Sequence, residues 1–130
     1  MATTTCAYVI GKDPQSRDKI FRCFEAAGLG AAWQADSLKS LLPPHNCYPE
    51  PHVVLVDISG MNGDLRGEVS QFQEEYPGTT FLLMSRNVTS SMLMEYMPCG
   101  IGGVLPLDIE PETLRHSLAL LLDDSLMSMN

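Results

Sequence analysis

His52-Val53-Val54-Leu55-Val56-Asp57 is the stretch on which the reading of this chain turns. Four apolar residues, three of them β-branched, run into one carboxylate. Ile58-Ser59-Gly60-Met61-Asn62-Gly63 follows, rich in turn formers. A short continuous apolar run bounded by turn signals reads as a strand buried on both faces. Such a strand in a parallel sheet ends at the carboxyl edge, where open α/β sheets collect ligands and chemistry. Asp57 stands at that edge, either as a cap of the loop or as a working carboxylate.

Outward from this strand the chain alternates. Cys6-Ala7-Tyr8-Val9-Ile10 reads as a first strand, broken by Gly11-Lys12-Asp13-Pro14. Asp13 is an N-cap and Pro14 the first helical residue. Ile20, Phe21, Phe24 and Ala27 recur at helical spacing until Gly28. A second short strand spans Gly30 to Gln34. A brief second helix, capped by Asp36 or Ser37, runs through Leu41-Leu42 until Pro43-Pro44 stops it. Four prolines between Pro43 and Pro51 make a loop. After the central strand a third helix starts near Asp64, with Leu65, Val69, Phe72 and Tyr76 on one face. Thr79 to Met84 is a fourth strand closing on Ser85. Thr89 or Ser90 caps a fourth helix carrying Met92, Leu93, Tyr96 and Met97, ended by Pro98-Cys99-Gly100. Gly102 to Leu105 is a fifth strand. Pro111 opens a fifth helix with Leu114, Leu118, Leu121 and Leu122 as its buried stripe, and the tail from Asp123 to Asn130 is expected to fray.

Strand and helix alternate five times, which implies right-handed crossovers, a parallel sheet and helices on both faces. Five strands suit the flavodoxin-like order 2-1-3-4-5. No G-x-G-x-x-G or Walker loop is present, and Gly28-Leu29-Gly30 follows a helix, the wrong place for a phosphate cradle.

The 130 residues fit one domain, expected as 1–130 with an ordered core over 5–123. Apolar residues make up 45% and charged residues 18%, enough material for a core. The net charge of −8 sets the chain against phosphate backbones, so no nucleic-acid contact is expected. No apolar run is long enough to span a bilayer, and Met1-Ala2-Thr3-Thr4-Thr5 lacks the marks of a signal peptide. A cytoplasmic location without membrane contact is expected. Cys6, Cys23, Cys47 and Cys99 show neither C-x-x-C nor metal spacing and read as reduced, partly buried thiols.

Several of these stretches resemble the response regulator receiver domain, the phosphoryl-accepting half of a two-component pair. Val53 to Asp57 resembles its third strand with the acceptor aspartate. Glu74-Glu75-Tyr76-Pro77-Gly78-Thr79-Thr80 resembles the passage into its fourth strand. Ser85 falls at the switch Ser/Thr position. Gly100-Ile101-Gly102-Gly103-Val104-Leu105-Pro106-Leu107-Asp108 with Pro111-Glu112 resembles the family's G-A-x-G-Y-L-x-K-D…P-E segment. That variant is most familiar from regulators with a C-terminal helix-turn-helix output domain, which residues 1–130 do not include and whose presence in a longer protein stays open. The resemblance implies a non-enzymatic signalling module. Its partners would be a histidine kinase or other regulatory protein, its own output domain, and a second copy through the fourth helix, fifth strand and fifth helix.

The departures from the family are specific. Gly11 and Lys12 occupy the two acidic places at the end of strand one, and Asp13 comes one position late. Leu107 takes the place of the lysine and Val104 that of the switch aromatic. The Met-Pro after the acceptor loop is replaced by Gly60-Met61 or Met61-Asn62. The acceptor Asp57 and the hydroxyl of Ser85 remain.

Phosphoryl transfer to a carboxylate rests on positioning and on neutralising spread negative charge. Asp57 would be the nucleophile. Mg²⁺ needs octahedral oxygen ligation, and Asp13 with Asp57 is the set on offer, so the expected cofactor is none or weakly bound Mg²⁺. Lys12 is a candidate charge partner for Asp57. Loss of one transition-state charge costs on the order of 3 kcal/mol, roughly a hundredfold in rate. The expectation is a degenerate receiver that works through contact. The alternatives are an orthodox receiver using Asp13 and Asp57 for the metal, and a small flavodoxin-like ligand-binding protein or enzyme.

Overall fold

The computed structural model describes residues 5–41, 51–58 and 65–127, with side chains to residue 122. Five strands form one parallel sheet: β1 (Thr5–Ile10), β2 (Gly30–Ala35), β3 (Val53–Asp57), β4 (Thr80–Ser85) and β5 (Ile101–Pro106), in the order β2-β1-β3-β4-β5. The helices are α1 (Pro14–Ala26), α2 (Leu65–Glu75), α3 (Ser90–Tyr96) and α4 (Pro111–Met127), with 3₁₀ turns at Leu38–Leu41 and Met97–Cys99. This is the flavodoxin-like arrangement.

Every residue of β3 is buried, Asp57 included, so the strand needs cover on both faces. Side-chain alternation supplies two cores. Ala7, Val9, Val53, Leu55, Leu82 and Met84 point towards Ile20 and Phe24 of α1 and Leu114 and Leu118 of α4. Tyr8, Ile10, Val54, Val56, Phe81 and Leu83 point towards Leu38, Leu41, and Val69 and Phe72 of α2. Phe72 meets Phe81 edge-on at 5.2 Å and Tyr76 at 4.8 Å.

His52 fastens the amino rim of the sheet. Its backbone N–H donates to Cys6 O at 2.8 Å, and its ring Nδ1 accepts the Cys6 N–H at 2.9 Å. Its carbonyl accepts the Thr80 N–H at 2.9 Å, which ties in the start of β4.

Two expectations need correction. The second helix is a single 3₁₀ turn, Leu38–Leu41, since Pro43 and Pro44 follow too closely for an α-helix to continue. The last helix runs on to Met127 instead of fraying from Asp123, and no glycine or proline interrupts it. The helix start near Asp64, the Pro43–Pro44 stop and Cys47 lie outside the described residues. Cys6, Cys23 and Cys99 are free, partly buried thiols as expected.

Truncating the fully buried Phe72 to alanine is expected to destabilise the chain by about 3–5 kcal/mol, against less than about 0.5 kcal/mol for Leu120→Ala at an exposed position. Urea unfolding of both variants measures the difference.

Candidate functional site at the carboxyl edge of the sheet

Hydrogen bonds from two loops set the edge. Ile58 N–H donates to Met84 O at 3.2 Å, and Leu107 N–H donates to Ser85 O at 2.9 Å. Asp57 ends β3 fully buried between them. Its Oδ2 receives no hydrogen bond, while the residue has other interactions.

Gly11 sits directly against it. A Cβ at residue 11 would lie 3.1 Å from Asp57 Cβ, 3.5 Å from its Oδ2 and 3.6 Å from Arg17 Cβ. The Gly11 carbonyl is held by Arg17, whose Nη1 donates to it at 2.8 Å while its Nε donates to Gln34 Oε1 at 3.0 Å. The first acidic place of the receiver pattern is therefore a closed backbone contact.

Asp13 faces its own helix. Oδ1 accepts the Gln15 N–H at 3.1 Å and Oδ2 accepts the Ser16 hydroxyl at 3.0 Å, so both oxygens serve the N-cap of α1. Lys12 is exposed, and among the described residues the ion pair present is Arg22 with Asp18 at 2.7 Å, not Lys12 with Asp57. Ser85 is buried in a local turn: its hydroxyl donates to Asn87 O at 3.1 Å and accepts the Asn87 N–H at 3.2 Å. Asp57 and Ser85 thus end neighbouring strands, while Asp13 and Lys12 are turned to other tasks.

Mg²⁺ is the ion that the resemblance implies, and the described residues do not fit it. Mg²⁺ takes octahedral oxygen ligation from one or two carboxylates with waters and phosphate, and the receiver pattern provides acids beside the acceptor for it. Gly11 fills the first of those places, and the Asp13 oxygens are engaged as caps. Among the described residues no group of three or more His, Cys, Asp or Glu side chains could hold a metal.

Three features of the edge escape sequence reasoning. Arg17 is one; its signal is a cation one turn into α1, on the side facing β2. The others are Lys19 and Arg86, which share a cavity of about 410 Å³ with Asp13, Ser16, Leu107 and Asp108. Arg86 directly follows the switch-position Ser85, and that adjacency is its signal. Leu107, standing where the pattern has lysine, lends this cavity an apolar wall. On the same side Cys23 Sγ donates to Ile109 O at 3.3 Å. Burial pushes its thiol above the ordinary value of 9.0, and the nearby Lys19 ammonium opposes part of that shift.

No protein-family model matches the sequence, and no curated protein is similar to it. Solved structures are. A two-component response regulator of the LuxR family from Aurantimonas sp. superposes with a TM-score of 0.78 at 14% identity, over 94% of this chain and 87% of that one. A structure described as a pilus assembly protein from Burkholderia thailandensis gives 0.74 at 18% identity, over 91% and 98%. The signal receiver domain of the response regulator NarL from Mycobacterium tuberculosis gives 0.70 at 20% identity, over 88% and 93%. The fold of this chain is the receiver fold.

Asp13→Ala should cost about 1 kcal/mol in urea unfolding, the usual loss for an N-cap. Cys23 gives a pH signature. Its folded pKa is raised, so the stability it contributes is intact below the ordinary thiol value of 9.0 and is lost as pH rises beyond it. Thermal melts from neutral to strongly alkaline pH should show that fall, and Cys23→Ala should flatten it.

Proposed function

We propose that the chain is a receiver-fold regulatory module that signals through protein contact, having lost efficient Mg²⁺-dependent phosphorylation at Asp57. Its partners on this reading are a histidine kinase or other regulatory protein, and its own output domain if the full-length protein carries one. The observation that carries it is the Gly11 contact, 3.1 Å from a would-be Cβ to Asp57 Cβ, where phosphorylating receivers place a metal-holding acid. Leu107 removes the lysine that would meet the phosphoryl oxygens. With two such charges missing, acceptance of a phosphoryl group falls by more than about a hundredfold.

A surface for contact supports the same reading. No residue of α3 is buried, and Met94 is 78% exposed beside the exposed Met97. Methionine repacks readily against different partners. On α4, Leu120 is 79% exposed. Two neighbours by fold are described as pilus assembly proteins, which lends support to a receiver fold serving assembly. The cavity lined by Lys19, Arg86, Asp13 and Asp108 favours a second reading, a small flavodoxin-like ligand-binding protein or enzyme with its site at this edge.

Incubation with acetyl phosphate and Mg²⁺, followed by intact-mass measurement, tests the first reading. The expected spectrum is that of the unmodified chain. A stoichiometric gain of one phosphoryl group that disappears in Asp57→Asn would overturn it and favour the orthodox receiver with Asp13 and Asp57 as metal ligands.

A further inference from the structure

The two edges of the sheet are built differently. Edge strands offer unpaired N–H and C=O groups, and proteins blunt them with charge, proline, bulges or cover. β5 is blunted: its pairing with β4 carries a register shift at Phe81/Leu82, and it contains Gly102, Gly103 and Pro106. β2 is not. Gly30-Ala31-Ala32-Trp33-Gln34-Ala35 has no charge and no proline, and all six residues pair with β1 in unbroken register. Among the described residues its backbone bonds to β1 and to Gly11, just beyond it, which leaves the outer side open.

The side chains on this edge are also unusual. Trp33 stacks on Tyr8 with ring centroids 5.5 Å apart, yet it stays 37% exposed. Ala31 lies on the same face, while Ala32 and Gln34 face α1.

We propose that β2 pairs antiparallel with β2 of a second copy of this chain, joining two sheets into one of ten strands. The strand itself specifies this occupant. A two-fold axis perpendicular to the sheet keeps like faces together and makes edge-to-edge pairing antiparallel. Centred on Ala32, that pairing sets each Trp33 opposite Ala31 of the other copy and each Gln34 opposite Gly30. Trp33 and Gln34 each meet a small residue across the seam, Ala32 meets Ala32 at its centre, and no charge is buried. A charged partner strand would find no counter-charge on β2. Six residues give a seam about 20 Å long, at the small end of interface sizes, so the dimer is a concentration-dependent one. This contact is separate from the α3 surface and does not depend on phosphorylation.

Sedimentation equilibrium of the full chain tests it. Each copy carries −8, so salt must strengthen the dimer by screening: from about 50 to 500 mM NaCl the dissociation constant is expected to fall severalfold. Ala31→Lys with Trp33→Lys should leave a folded monomer by circular dichroism. Ala31→Lys alone keeps the Tyr8–Trp33 stack and decides the matter if the double variant unfolds. Ala32→Cys should give a covalent dimer on mild oxidation, beyond any formed by the wild-type thiols. A wild-type chain that stays monomeric at all salt concentrations overturns the proposal, as does a dimer that weakens with salt or survives Ala31→Lys. A dimer lost on Met94→Lys or Leu120→Lys but not on Ala31→Lys also overturns it, while leaving the contact reading of the α3 surface standing.

Discussion

The burial of β3 on both faces is the constraint from which the rest of the structure follows. Four apolar residues in a row cannot be shielded by one layer, so helices must lie on each side of the sheet. That requirement divides the apolar side chains into two cores. One gathers the even faces of β1 and β3 with α2, and the other gathers their odd faces with α1 and α4. It also carries a carboxylate inwards, because Asp57 continues the strand and shares its burial. A buried acid is costly to keep unless its surroundings serve it. The edge is therefore the place where the chain's chemistry must be sought.

Much of this is legible in the residues. The continuous apolar runs of β1 and β4, the 3.6-residue spacing in α1 and α2, and the Asp13-Pro14 start are local signals, and each survives in the structure. The strand order follows from the alternation of element types and the handedness of crossovers. What cannot be read depends on tertiary placement. A periodicity argument cannot tell one helical turn from two, so it overstates Leu38–Leu41. The extension of α4 to Met127 rests on the absence of a breaker, a weaker signal than the presence of one.

The site shows the same division more sharply. That Gly11 stands in an acidic place is visible in one dimension; that its backbone closes on Asp57 is not. Asp13 is acidic and near enough in sequence to invite a role as ligand, yet the start of α1 claims both its oxygens. A helix end supplies amide donors at fixed positions, and an aspartate two residues before the first of them reaches these donors before anything else. Arg17 holds the Gly11 carbonyl from one turn along the helix, a link no linear pattern displays. Glycine, cap and guanidinium together describe an edge organised to hold its own backbone still.

At the opposite rim, the imidazole of His52 does work usually left to the main chain. Because its Nδ1 accepts the Cys6 N–H, its proton resides on Nε2, and the ring acts as one more rung between β1 and β3. A side chain has been enlisted to lengthen a ladder that the backbone alone would have ended sooner. Such a rung exists in one alignment of the two strands only. Sliding either by a single position would turn the ring to the other face and forfeit it, so this histidine doubles as a register pin for the middle of the sheet.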